Sequence, residues 1–252
     1  MMKIALFTSN EYRHNYFINR LNKKFKNLTV ILNNKKIKKK SQNKFISDYF
    51  DKIKFYEKKI FNSINNDNLK KKINFLDISN LKKINLHKLK KKLNYDLYIA
   101  YGSEYFTGNL KKFLIRKKTI CIHMGIAPYY LGPDSNFWAM YDNNIHLVGS
   151  TFHQLYKKKD SGPILFHFVG GFGKNKYSYG MYAAKFALNE LCKRINKKFI
   201  VEYKNIKLIR PNYRFSKKSN LNEKIIKNFL NKKINFKKLY SKELLVNPVK
   251  KN

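Results

Sequence analysis

Acidic residues are scarce in this sequence: 15 Asp and Glu stand against 55 Lys and Arg, a formal charge of +40 over 252 residues. Cysteine is scarcer still, with Cys121 and Cys192 far apart and no Cys-x-x-Cys pair. Two such residues make neither a disulfide framework nor a zinc ligand set, and a reducing, cytoplasmic setting is the simplest one for them. Long apolar runs are missing too, so no segment is read as membrane-spanning. The opening MMKIALFTSNEYRHN has one short apolar run and no small-residue cleavage pattern, and is not read as a signal peptide. What is present is a core: hydrophobic residues make up 43 % of the chain, which excludes a globally disordered protein.

The lysine excess is spread along the chain together with Asn and Ile. Drift of solvated faces toward an AT-rich codon composition gives this pattern, and so does a nucleic-acid-binding surface. On either reading the charge attracts anions, phosphorylated small molecules included.

Lys3–Thr8 (KIALFT) reads as a buried first strand, Asn10 as the cap of a helix over 11–24, and Leu28–Leu32 as a second strand. Strand, helix, strand in that order points to a parallel α/β sheet. Lys35–Lys44 reads as a solvated loop. Phe45, Tyr49, Ile53, Tyr56 and Ile60 mark a basic amphipathic helix whose aromatics face a core or stack bases. Strands are expected at 73–78, 95–101, 119–123, 147–153 and 163–169. Helices are expected at 86–93, 109–115, 136–141 (capped by Ser135) and 182–195, with Cys192 beside the apolar stripe of the last. GGFG, Gly170–Gly173, reads as a flexible turn. After Lys197 a hairpin at Phe199–Arg210, a lysine-rich helix over 223–230 and a frayed end follow. The division is one domain over 1–197 and a small C-terminal appendage over 198–252.

Ligands of a parallel α/β sheet collect at the carboxyl ends of its strands. Ser9-Asn10, Gly102-Ser103 and His123 fall there, and Asp160 lies in the loop before a later strand. A His and an Asp at converging strand ends can share acid–base work, or be a hydrogen-bonded structural residue and a turn residue. His123, His146, His153 and Asp160 lack any recognised metal-ligand spacing, so no metal is expected. His14 and His87 are expected at the surface of helices.

One stretch escapes the lysine–asparagine bias: CIHMGIAPYYLGPDSNFWAMYDNN, Cys121–Asn144, with the only tryptophan. His123, Pro128, Tyr130, Gly132 and Trp138, followed by GSTFH (Gly149–His153) and DSGPIL (Asp160–Leu165), resemble the ordered signature of the folate-dependent formyltransferases. That family includes the methionyl-tRNA, glycinamide ribonucleotide and sugar N-formyltransferases. The match runs over 95–165. It implies a Rossmann-like, mostly parallel sheet flanked by helices, and transfer of a formyl group from 10-formyltetrahydrofolate to an amine. It also implies that His123 is the oxyanion and acid–base residue, with Asp160 as its partner. The pterin is implied to lie near Ala100, Tyr101, Gly102 and Ser103 and the loop from Gln154 to Asp160, held largely by backbone groups.

Two positions depart from the family pattern. Cys121 stands where the family has Asn, and a thiol is a weak donor, so one oxyanion contact is lost. Leu131 stands where Arg is common in the turn before Gly132. TSNEYRHNY after the first strand lacks a glycine-rich phosphate loop, and the appendage is short for a tRNA-gripping domain. The resemblance therefore implies a nucleotide-linked amino sugar as acceptor. The alternatives are tRNA as acceptor, or a catalytically impaired relative that serves as a binding module. Whether the chain forms a homodimer is left open.

Overall fold

The computed structural model describes residues 2–33, 43–62, 73–158, 160, 162–171, 173, 175–195, 213–236 and 239–244. Ten strands and eight α-helices are found among these residues. The strands are β1 (Lys3–Thr8), β2 (Asn27–Leu32), β3 (Asn74–Asp77), β4 (Leu97–Tyr101), β5 (Ile120–His123), β6 (Tyr130–Leu131), β7 (Gly149–Gln154), β8 (Ile164–Gly171), β9 (Arg214–Phe215) and β10 (Leu239–Leu244). The helices are α1 (Tyr12–Lys24), α2 (Lys44–Phe61), α3 (Ser79–Lys82), α4 (Leu86–Lys92), α5 (Gly108–Arg116), α6 (Ser135–Tyr141), α7 (Tyr179–Arg194) and α8 (Glu223–Asn231).

Eight strands form one sheet in the order β10-β8-β7-β5-β4-β1-β2-β3. The β3, β2, β1, β4 and β5 strands run parallel, and β7, β8 and β10 extend the sheet antiparallel. This is the expected α/β architecture. Its strand order reverses between β1 and β4, which opens a crevice at the carboxyl ends of the central strands.

Near-continuous apolar runs make these strands, because both faces of the sheet are covered. On one face Ile4, Leu6, Ile99, Tyr101, Ile120, Ile122 and Phe152 pack with Phe17, Leu21 and Leu188 of α1 and α7. On the other, Ala5, Phe7, Ile31 and Ala100 pack with Leu81, Leu89, Leu110 and Phe113 of α3, α4 and α5. Cys192 is buried in the first cluster. The α2 stripe turns to the interior: Tyr49 and Ile60 are buried, and Phe45, Ile53 and Tyr56 pack against the core from the margin.

Several local expectations are corrected. His14 is not a surface residue. It is 1 % exposed, with Nδ1 2.8 Å from Ser9 Oγ and its ring set edge-on against Tyr101, 4.7 Å between centroids. Asn10 does not cap α1; it accepts from Asn15 Nδ2, and the cap position falls on Glu11 without a side-chain bond. The first turn is served from α2 instead, where Glu57 accepts from the Arg13 backbone N–H at 3.1 Å. Ser135 is the first residue of α6, not its cap, and its hydroxyl donates to the Gly132 carbonyl. Gly170 and Gly171 lie inside β8 and are not a flexible turn. The end of the chain is not frayed throughout, since Leu239–Leu244 pairs with β8. The hairpin at Phe199–Arg210 and most of the Lys35–Lys44 loop lie outside the described residues.

Among the described residues no helix is long and apolar enough to cross a membrane.

Candidate active site

β5 ends at His123, and the two-residue period of a strand sets which side chains meet there. Cys121 and His123 share one face of β5. Across the antiparallel ladder Cys121 lies opposite His153, and His123 lies opposite Thr151. On the parallel side Cys121 lies opposite Ala100 of β4. One face of the sheet thus carries Cys121, His123, Thr151 and His153, while Ile120, Ile122 and Phe152 point to the core on the other.

The β7–β8 turn brings Asp160 over this face. Gln154 N–H donates to the Pro163 carbonyl at 2.9 Å and closes the turn. Asp160 takes φ 51°, left-handed backbone that Asp tolerates better than most residues. Its carboxylate sits between two imidazoles: Oδ2 is 3.9 Å from His123 Nδ1, and Oδ1 is 3.8 Å from His153 Nε2. Both separations are ion-pair distances, too long for hydrogen bonds.

The far nitrogen of each ring is already committed. His123 Nε2 lies 3.0 Å from the Tyr130 carbonyl oxygen, and His153 Nδ1 lies 2.9 Å from the Gln154 carbonyl oxygen. A carbonyl only accepts, so each of these nitrogens carries the proton. In the neutral rings, His123 Nδ1 and His153 Nε2 are then lone pairs, and both face a carboxylate. Burial holds His153 below the usual histidine range, against the opposing pull of the Gln154 carbonyl and Asp160. A proton added at either of these lone pairs turns facing acceptors into an ion pair with Asp160.

The segment after β5 is pinned from β7 and β8. Thr151 Oγ1 donates to the Gly125 carbonyl at 2.6 Å and accepts the Ala127 N–H at 2.8 Å. His167 Nε2 donates to the Ala127 carbonyl at 2.7 Å. The Ala127–Pro128 peptide is cis. Gly125 lies directly under the histidine: a Cβ there would stand 2.8 Å from His123 Nε2 and 2.3 Å from Ser135 Cβ.

The other sequence-derived positions fall around this centre. Ala100 is buried beside Cys121. The Tyr101 side chain points to the opposite face of the sheet, its hydroxyl 3.6 Å from Met124 Sδ, so only its backbone is available on the histidine side. Gly102 has φ +63°, and a Cβ there would overlap the His14 ring at 2.2 Å. Ser103 continues into the β4–α5 loop. That loop and α5 are joined to the β7–β8 turn at the Lys157 carbonyl, where Tyr105 Oη of the loop donates at 3.4 Å and Lys111 Nζ of α5 at 2.8 Å. Gln154 contributes its carbonyl to His153. Cys121 is a free thiol, pushed far up by burial and by Asp160, so the thiolate a nucleophile needs is disfavoured. His146 is exposed on a 3-10 turn, Ile145–Leu147, and among the described residues no group of three or more His, Cys, Asp or Glu is placed to hold a metal ion.

Sequence reasoning named Thr151 only within a motif, and His153 only there and among the metal-ligand candidates. Strand alternation carried the signal that places them beside His123: in GSTFH the third and fifth residues share a face.

No family model matches the sequence, and no curated protein matches it. Solved structures do. A 4-N formyltransferase from Francisella tularensis aligns over 82 % of this chain and 72 % of its own at 20 % identity, with a TM-score of 0.51. A sugar N-formyltransferase from a Shewanella species aligns over 84 % of this chain and 76 % of its own at 16 % identity, with a TM-score of 0.50. The fold is that of the formyltransferases. Within this formyltransferase fold, the His123–Asp160–His153 trio lies at the carboxyl end of the sheet, where α/β proteins place their ligands.

Proposed function

We propose that the protein transfers a formyl group from 10-formyltetrahydrofolate to an amine, the amino group of a nucleotide-linked amino sugar. The observation that carries this reading is the carboxylate between two imidazole lone pairs, a site built to accept one proton. An amine acylated by a formyl donor must lose one proton, and the departing nitrogen of the donor must gain one.

The donor fits this site in two respects. The backbone of Ala100–Ser103 ends a central strand, and Gly102 turns the chain there with φ +63°. The lone pairs facing Asp160 can take the proton that the reaction releases. When bound, the donor supplies an activated formyl group. His123 Nδ1, backed by Asp160, takes the proton from the attacking amine. Once protonated, the same nitrogen donates toward oxygen as negative charge grows there, and then returns the proton to the leaving nitrogen. His153 shares the charge of Asp160 from the other side. Cys121 does not enter as a nucleophile.

The net charge of +40 favours an anionic acceptor, which a nucleotide diphosphate supplies. The other acceptor of this kind is tRNA. Calorimetric titration with a stable 10-formyltetrahydrofolate analogue tests the donor site. One-site binding is expected, with amino-sugar nucleotides and initiator tRNA then compared as acceptors. A folded protein that binds no analogue would overturn the reading.

Cys121 limits the rate on this view, because a thiol is a poor donor where an amide would serve. Cys121→Asn is expected to raise kcat by about a hundredfold, the usual worth of one such donor. Initial rates at saturating donor and acceptor measure it. An unchanged rate would show that the site works around the thiol. Analogue binding without turnover in both proteins would make the chain a binding module.

A further inference from the structure

Arg214 lies 91 residues after His123 in sequence, and a chain of contacts connects the two. β9 pairs with β6, Tyr130 opposite Arg214 and Leu131 opposite Phe215. In extended chain successive carbonyls point to opposite sides. The Arg214 N–H takes the Tyr129 carbonyl at 3.0 Å, and the Ser216 N–H takes the Leu131 carbonyl at 3.0 Å. The carbonyl between them, that of Tyr130, is thereby turned away from β9, and it meets His123 Nε2.

The side chains fix the same residue a second time. Arg214 grips Asp142 with two bonds, Nη2 to Oδ1 at 2.7 Å and Nε to Oδ2 at 3.0 Å. Its guanidinium lies over Trp138, 4.3 Å from the ring centroid. Asp142 Oδ2 in turn accepts from Tyr130 Oη at 3.3 Å, and Asn144 Nδ2 donates to that oxygen at 2.7 Å. Tyr130 is 1 % exposed. The ring end of this tyrosine is held by Asp142, which Arg214 grips, and its backbone lies opposite Arg214 in the β6–β9 pair.

We infer that Arg214 is a positioning residue for His123: through Asp142 and Tyr130 it sets the carbonyl that keeps the proton on Nε2 and leaves Nδ1 free for Asp160. Without its grip on Asp142 the β6–β9 pair that turns the Tyr130 carbonyl loses its side-chain anchor, and the neutral ring can place its proton on Nδ1, the nitrogen that must accept. This inference rests on the acid–base role proposed for His123, and it assigns the C-terminal segment a part in the chemistry.

The test is the tautomer itself. Long-range proton–nitrogen correlation spectra of 15N-histidine-labelled protein, recorded at alkaline pH, distinguish the two neutral forms, with His123→Gln assigning the signals. Wild type is expected to show the Nε2–H form alone. Arg214→Leu is expected to show a mixture, with kcat lower by about ten- to a hundredfold and the KM for the formyl donor unchanged. Arg214→Lys, which keeps a charge but not the two-pronged grip, is expected to fall between. Should Arg214→Leu not fold, Asp142→Asn breaks the same grip with little change of shape and is expected to give the same mixture. A folded variant of either kind with the pure Nε2–H pattern would overturn the inference. That readout needs no turnover, so it stands apart from failure of the formyl-transfer reading, which analogue titration decides.

Discussion

His123→Ala is expected to lower kcat by about a thousandfold or more while the circular dichroism spectrum stays that of the wild type. The substitution removes the acceptor nitrogen and the donor it becomes once protonated, so both halves of the proton's path are lost. Asp160→Asn removes the charge that draws the proton to the trio and keeps the shape. Its expected loss is of similar order, with donor binding retained in the calorimeter. The two losses should not add in the double variant, because His123 and Asp160 act as one unit. Single-turnover assays with saturating donor separate chemistry from product release. A variant that keeps a tenth of the wild-type rate would remove its residue from the proposed mechanism.

Arg13→Met is expected to be the costliest single change to stability, because it strands a carboxylate. Glu57 is 5 % exposed; its Oε2 takes Arg13 Nη1 at 2.8 Å and its Oε1 takes the Arg13 backbone N–H. Arg13 also contacts Glu11. Burial raises the Glu57 carboxyl above its ordinary range, and Arg13 pulls it down. Removing one partner of a buried pair costs about 3–5 kcal/mol, a large part of the 5–15 kcal/mol that holds a typical domain.

The sign of the pH dependence follows from the same facts. A carboxyl raised in the folded state binds more protons there than in the unfolded state, so stability falls as pH rises between the two values. Losing Arg13 widens that gap. The deficit of Arg13→Met should therefore be largest at neutral and alkaline pH, and shrink as pH falls toward the ordinary carboxylate range. Urea titrations across pH measure it. Arg13→Met with Glu57→Gln should recover much of the loss; a double variant no better than the single one would mean that the stranded charge is not the cause.

Much of this architecture could be read from short apolar runs. KIALFT, LTVIL and YDLYIAY become β1, β2 and β4 because strands covered on both faces need continuous burial, which composition records directly. His14 escaped because only apolar residues were counted toward the α1 stripe. It occupies the same face as Phe17, Ile18 and Leu21, three, four and seven residues on, and is buried with them. β9 escaped because two residues have no period. The pairing of His123 with Asp160 came from an ordered motif, since their 37-residue separation in sequence says nothing of distance. The Tyr130 and Gln154 carbonyls that fix the two imidazoles left no trace at all. A backbone oxygen belongs to every residue type, so no letter in the sequence announces it.

The same anonymity gives the site its mutational latitude. Around His123 and His153, the contacts that set proton positions and loop paths end on the main chain of Gly125, Ala127, Tyr130, Gln154 and Lys157. At Gln154 and Lys157, any residue that keeps the chain path presents the same oxygen. Substitution toward lysine or asparagine could run through those two positions at little chemical expense. It is blocked where a side chain itself makes the contact, as at Thr151, His153 and Asp160, and where none fits, as at Gly125.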